Sequence, residues 1–260
     1  MALAEGRQAI FPFRPPINRL ITGVPLYIQI AEGLLDRIEA GELAPGDRLP
    51  AERELSLVLG VNRMTLRRAL RMLESQGLLA RRQGKGTYVA DPKIERPAGH
   101  LVSFTRGMQQ RGFTPGARVV RFEERPVEAS LAGLLRLPIA APVYDIQRLR
   151  SLNQEPVLLE HYILPIRRFP GLARFDLNTR SMYEIMQTEY QVSVLRARQS
   201  LEPVVATEYE AGLLQTETGA PLMLEQRLSY DQDEQPVENG RDLYRGDRFR
   251  FVTEAAPLEM

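Results

Sequence analysis

The chain of 260 residues has no cysteine and no tryptophan, only two histidines (His100 and His161) and only two lysines (Lys85 and Lys93). Without cysteine there can be no disulfide and no thiolate metal site, which fits a reducing cytoplasm. Two histidines leave little from which to build a zinc site or a catalytic triad, and no cofactor motif takes their place. A long apolar run is missing from Met1 to Thr22, so neither a signal peptide nor a membrane anchor is expected there, and no membrane partner. Positive charge is almost all arginine, a compositional bias rather than a function. The length suits two ordinary domains, each able to bury its own core.

What is present is concentrated first in Leu49–Val89. Two short helical patterns meet at Leu59-Gly60-Val61-Asn62, where Gly60 can supply the positive φ that ends one helix and Asn62 can cap the next. Leu66, Ala69, Leu70 and Leu73 recur at i, i+3, i+4 and i+7, a single buried stripe. Arg67, Arg68 and Arg71 fall on the outer face, with Arg63 and Thr65 in the first turn. Beyond Gly77 the pattern alternates into two strands, Leu78–Arg82 and Thr87–Ala90, around Gln83-Gly84-Lys85-Gly86. Two helices, a tight turn and a basic hairpin make a winged helix-turn-helix. From Arg53 to Gly86 eight basic residues face only Glu54 and Glu74, a net of +6 against +1 for the whole chain. Solvated faces usually mix signs; this one does not, so it reads as a DNA footprint.

LPAERELSLVLGVNRMTLRRAL followed by GLLARRQGKGTYV resembles the DNA-binding domain of GntR-type bacterial transcription regulators, over residues 25–90. That resemblance implies contacts to bases or phosphates from Arg53, Arg63, Thr65 and Arg67, with Gly84-Lys85-Gly86 as a wing tip in the minor groove. Asn62 and Arg68 are further candidates. Ala51 departs from the usual pattern, where Ser often precedes the Glu-Arg pair, and removes one possible cap and phosphate contact. Independently, arginine is the residue that bonds guanine O6 and N7 bidentately, and a recognition helix offers its N-terminal residues to base edges. The preceding helix is expected from about Pro25 to Gly41, on a stripe of Leu26, Ile30, Leu34, Leu35 and Ile38. Residues 1–22, with Phe11-Pro-Phe-Arg-Pro-Pro16, read as a flexible tail and 23–90 as the DNA-binding domain.

Asp91–Ala98 carries two prolines and mixed charge and reads as a linker, leaving 99–260 as a second domain. A short helix is expected over Leu101–Arg111. Further on, Ala132–Leu149 aligns without a gap to Ala211–Leu228, with nine of eighteen pairs identical, and the match continues through Pro156-Val157 and Pro236-Val237. Each copy reads as a helix, a strand, a polar hairpin and a returning strand. The expected fold class is therefore α+β: a winged helix-turn-helix, then an internally duplicated antiparallel sheet with helices packed on it.

QRLR, EPVLLEHYILP, SMYEIM and PVENGRDLYRGDRFRF make this second domain resemble the UTRA effector-binding domain of the HutC-like branch of the same regulators. The resemblance implies a chorismate-lyase-like fold, a small effector in a cleft, and dimerisation. On matching positions Arg148, Arg150, Glu160, Ser181, Tyr183, Glu238 and Tyr244 would line the pocket, and Ser103-Phe104-Thr105 would offer hydroxyls and N–H groups to an anion. The residues speak for part of this alone. Arg148 and Arg150, two apart on a strand, share a face and repel unless an anion or carboxylate lies between them. Arg148 recurs as Arg227, so it reads as pocket or as scaffold, whereas Arg150 has no counterpart. Ser181 heads an amphipathic helix and can cap it, bind an anion at its positive end, or both. Glu160 and Glu238 are acceptors for hydroxyls or an amine.

Together these point to a non-enzymatic regulator, by default a repressor, that binds double-stranded DNA as a homodimer on an inverted repeat. A small anionic metabolite would control it, a sugar or amino-sugar phosphate first and a small carboxylate second. A lyase-like enzyme and a DNA-binding protein without effector are the alternatives, though no nucleophile–base pair, metal cluster or nucleotide loop is visible.

Overall fold

The computed structural model describes residues 23–82, 84, 86–99 and 103–254. The chain divides between Lys93 and Ile94 into two units. In the first, α1 (Leu26–Glu39), α2 (Glu52–Leu59) and α3 (Arg63–Ser75) precede a hairpin of β1 (Leu79–Arg82) and β2 (Gly86–Val89). Gly60 takes φ +61 at the end of α2, and Asn62 caps α3 by accepting the Thr65 N–H at 2.8 Å. These two residues set the helix-turn-helix angle. The stripe expected from the sequence, Leu66, Ala69, Leu70 and Leu73, is buried in one core with Ile30, Leu34, Leu55, Leu79 and Val89.

The second unit is a six-stranded antiparallel sheet in the order β4-β5-β6-β9-β8-β7. Its strands are β4 (Pro115–Pro126), β5 (Pro142–Leu152), β6 (Glu155–Pro165), β7 (Arg196–Val205), β8 (Pro221–Tyr230) and β9 (Pro236–Arg245). Between β4 and β5 lies α5 (Ala129–Leu134), and between β7 and β8 lies α7 (Glu208–Leu214). On one face of the sheet α5 and α7 cover Leu149, Leu159, Ile163, Leu224 and Leu243. The opposite face carries two apolar clusters. One seats α6 (Met182–Tyr190) on Tyr144, Ile146, Tyr162 and Leu164; the other packs α4 (Phe104–Gln109) with Leu158, Tyr244 and Phe249 of β10 (Phe249–Val252).

Two expectations need correction. The linker does not run from 91 to 98, because Ile94–Pro97 forms β3, paired in parallel with β10. Ile94 is buried against Phe249 and Phe104, an anchor that the surrounding prolines and charges disguise in the sequence. The helix expected over Leu101–Arg111 forms only from Phe104 to Gln109. Residues 1–22, read as a tail, and Lys85 at the wing tip lie outside the described residues. No helix among the described residues is long and apolar enough to cross a membrane.

Candidate functional site

In the first unit a groove runs between the start of α3 and the hairpin. Arg48, Arg53, Arg63, Arg67 and Arg81 line it, together with Glu52, Gly84 and Gly86. The Arg63 side chain makes no hydrogen bond or ion pair among the described residues and stands exposed at the first position of α3. Thr65 gives its hydroxyl to Asn62 Oδ1 at 3.0 Å, so its methyl is what remains to be presented. Arg67 is held from behind: its Nε donates to Glu52 Oε2 at 2.7 Å, and Glu52 Oε1 takes Arg81 of the hairpin at 3.4 Å. Glu52 thus ties the recognition helix to the wing, a role the basic run concealed because the residue lies one place before it. Arg68 is not brought to the groove. Its guanidinium stacks 3.8 Å over the Tyr27 ring of α1, a cation–π contact that fixes helix packing. Gly86 sits at φ +115 with the Arg48 Nε 3.1 Å from where a Cβ would be, so only glycine fits the hairpin there.

In the second unit a small cleft of about 20 Å³ opens between the two apolar clusters. Its floor is set by register. Arg148 on β5 lies opposite Glu160 on β6, which lies opposite Asp242 on β9, itself opposite Glu225 on β8. One row of the sheet therefore reads Arg-Glu-Asp-Glu, three carboxylates side by side. In the next row Gly240 faces Arg227, whose guanidinium lies across the glycine: a Cβ there would stand 2.7 Å from Nη2.

The anion expected between Arg148 and Arg150 is the protein's own. Glu160 accepts Arg148 Nη2 at 2.8 Å and Arg150 Nη1 at 3.2 and 3.3 Å, with all three side chains buried. Burial alone would push the Glu160 carboxyl up, but the guanidiniums of Arg150, Arg148 and Arg227 outweigh it and hold it at about 2. So Glu160 is not an open acceptor for a ligand. Arg148 is tied further to the carbonyls of Leu177 and Arg180, at 3.1 and 3.2 Å, which anchors the loop leading into α6. Arg150 stacks 4.6 Å from the Phe104 ring and donates to Thr105 Oγ1 at 2.9 Å.

Ser181 does not cap α6 with its side chain; its hydroxyl lies 3.0 Å from that of Ser103, which stands just before α4. Two hydroxyls and the N-terminal end of α6 therefore meet at the rim. Glu238 sits behind the floor, accepting Tyr183 Oη (2.8 Å), Arg227 Nε (2.7 Å) and Ser229 Oγ (3.0 Å) through one oxygen. Tyr244 and Tyr183 do line the cleft. Missed in the sequence were Arg96, hidden in the supposed linker, and Arg227 and Asp242. The alternation Glu238, Gly240, Asp242, Tyr244 puts all four on one face and would have exposed Asp242. Burial and the neighbouring Glu160 and Glu225 raise its carboxyl to about 7 against the pull of Arg227.

A winged helix with an arginine-lined groove, followed by a sheet domain with a polar cleft, defines a DNA-binding transcription regulator with a domain for a small effector. Residues 26–89 match the bacterial regulatory proteins of the gntR family, and residues 110–250 match the UTRA domain. The chain belongs to the GntR family, in its HutC-like branch. The HTH-type transcriptional repressor NagR of Bacillus subtilis (strain 168) is 37% identical over 88% of this chain and 94% of its own. The mannosyl-D-glycerate transport/metabolism system repressor MngR of Escherichia coli (strain K12) is 31% identical over 88% and 95%. The crystal structure of PhnF from Mycobacterium smegmatis superposes with a TM-score of 0.63 at 34% identity, over 87% of this chain and 99% of that one. These relatives are regulators, and so is this chain; it is not an enzyme.

Proposed function

We propose that the protein is a cytoplasmic homodimeric repressor that binds an inverted-repeat operator. A small anionic metabolite rich in hydroxyl or amino groups, held in the cleft, releases it. A sugar or amino-sugar phosphate is favoured over a small carboxylate. The observation that carries this reading is the Ser103–Ser181 hydroxyl pair, 3.0 Å apart, beside the N-terminal end of α6. Hydroxyls and orphan helix N–H groups together make a phosphate-sized donor set, favoured by the helix dipole. The Arg148–Glu160–Arg150 network supports the anion indirectly: it fixes α4 through Thr105 and the α6 loop through Leu177 and Arg180. Sugar chemistry is also named for the relative MngR, whose system handles mannosyl-D-glycerate.

On the DNA side, Arg53, Arg63, Thr65 and Arg67, with the wing at Gly84–Gly86, carry operator recognition. Two copies on a symmetric site double a readout that one small basic domain makes weakly.

Calorimetry with inorganic phosphate, glucose 6-phosphate and small carboxylates tests the cleft. Phosphates should bind the wild type, and Ser181→Ala with Ser103→Ala should weaken them at least tenfold while operator binding is kept. Undiminished phosphate binding in that double variant would overturn the proposed anion position.

A further inference from the structure

The cleft is not uniformly cationic. Four lining arginines, Arg96, Arg148, Arg150 and Arg227, are matched by Glu160 and Asp242 in the lining and by Glu225 and Glu238 behind it, so the protein part of the site is close to neutral. Within the carboxylate row the acids are unequally served. Glu160 has both oxygens on Arg148 and Arg150. Glu225 accepts Gln199 Nε2 at 2.8 Å on one oxygen and faces Arg227 and Arg96 at 3.4 and 3.6 Å with the other. Asp242, between them, uses Oδ2 for Arg227 at 2.6 Å, while its Oδ1 is buried with no partner among the described residues. This side chain is 2% exposed and lines the cleft. An acceptor left unpaired in a buried site is unfavourable, more so if charged, and three carboxylates in adjacent register repel one another.

We infer that Asp242 is a subsite for an amino group of the effector, an ammonium that pairs with Oδ1 and relieves the Glu160–Asp242–Glu225 row. The inference rests on the anion reading above only for the other end of the molecule. Combined, the two make the effector zwitterionic: a phosphate or carboxylate at Ser103 and Ser181, an amine at Asp242. A hydroxyl could donate to the same oxygen, but it brings no charge to a row with an excess of negative neighbours.

The groups facing Asp242 are Arg227 and Glu225 from β8, Glu160 and Tyr162 from β6, Arg96 from β3, Tyr183 from α6 and Tyr244 on its own strand. Burial, with Glu160 and Glu225, raises its carboxyl to about 7, so an ammonium should bind more tightly as pH rises from 6 to 7 and the carboxylate forms, before the amine itself loses its proton.

Four probes separate the possibilities by calorimetry on the full chain: inorganic phosphate, glucose 6-phosphate, glucosamine 6-phosphate and glucosamine. The wild type should prefer glucosamine 6-phosphate to glucose 6-phosphate at least tenfold at pH 7.5. Asp242→Asn should abolish that preference, and with it the extra pH dependence of the amine compound, while inorganic phosphate binds as before. A cooperative melting transition and retained operator binding would show that the variant is folded. If glucosamine binds through Asp242 while no phosphate binds, the amine subsite stands and the anion reading fails. If the amine gives no advantage in the wild type, or an advantage that Asp242→Asn leaves intact, the inference is overturned.

Discussion

Gly240 shows how much one residue can settle. It is a glycine in the middle of a long strand, a place where glycine costs stability, and its φ is ordinary. Its reason is lateral: the Arg227 guanidinium occupies the space a methyl would take. Gly240→Ala should push that guanidinium off Glu238 and Asp242 and cost about 2–4 kcal/mol, because buried ion pairs are expensive to break from one side. Urea unfolding would measure it, and an unchanged midpoint would show that Arg227 has another place to go. Asn62 is a simpler case. Its cap on Thr65 predicts a loss of about 1 kcal/mol for Asn62→Ala, and a freed Thr65 hydroxyl as well.

At the scale of elements, the helix-turn-helix was legible because each local rule agrees with the others: positive φ at Gly60, a cap at Asn62, one apolar stripe and one-signed charge. The strand pairs of the sheet were legible from alternation and from the polar turns between them. Not legible were features that depend on register between distant strands. Only pairing brings Glu160 beside Asp242 and Glu225, so the sequence shows candidate acceptors but not that Glu160 is already spent on two arginines. Strand β3 was hidden because its partner β10 lies about 150 residues further on in sequence. On DNA, Arg63→Ala should lose about 1–3 kcal/mol on the operator and relax selectivity at one base pair, whereas Lys85→Ala should weaken all duplexes more evenly. Glu52→Ala should release Arg67 and Arg81 together. It should narrow the gap between operator and random DNA without lowering random-duplex affinity, and competition binding at fixed salt would detect this.

For the molecule as a whole, the buried carboxylates set a stability optimum in pH. Glu160 is held at about 2 in the fold against 4.5 for an ordinary glutamate, so its stabilisation is full above 4.5 and is lost as pH falls towards 2. The amount is about 3 kcal/mol. Asp242 has the opposite sign. Raised to about 7 from 3.8, it keeps a proton in the fold that the unfolded chain has released, so stability declines as pH rises from 4 towards 7. Melting temperature without ligand should therefore peak near pH 4, and Asp242→Asn should flatten the decline above it. A wild-type curve rising steadily to pH 7 would contradict this assignment of charges. Sedimentation should find a dimer both free and on an operator duplex selected from a random pool; a monomer in both would remove the symmetric-site reading. The central claim, that a polar anion in the cleft governs DNA binding, is tested most directly by operator affinity with and without a saturating sugar phosphate. The account predicts a fall of roughly 5- to 150-fold, the usual range of coupling between sites, lost in Ser103→Ala/Ser181→Ala. An operator affinity that no bound phosphate changes would contradict it.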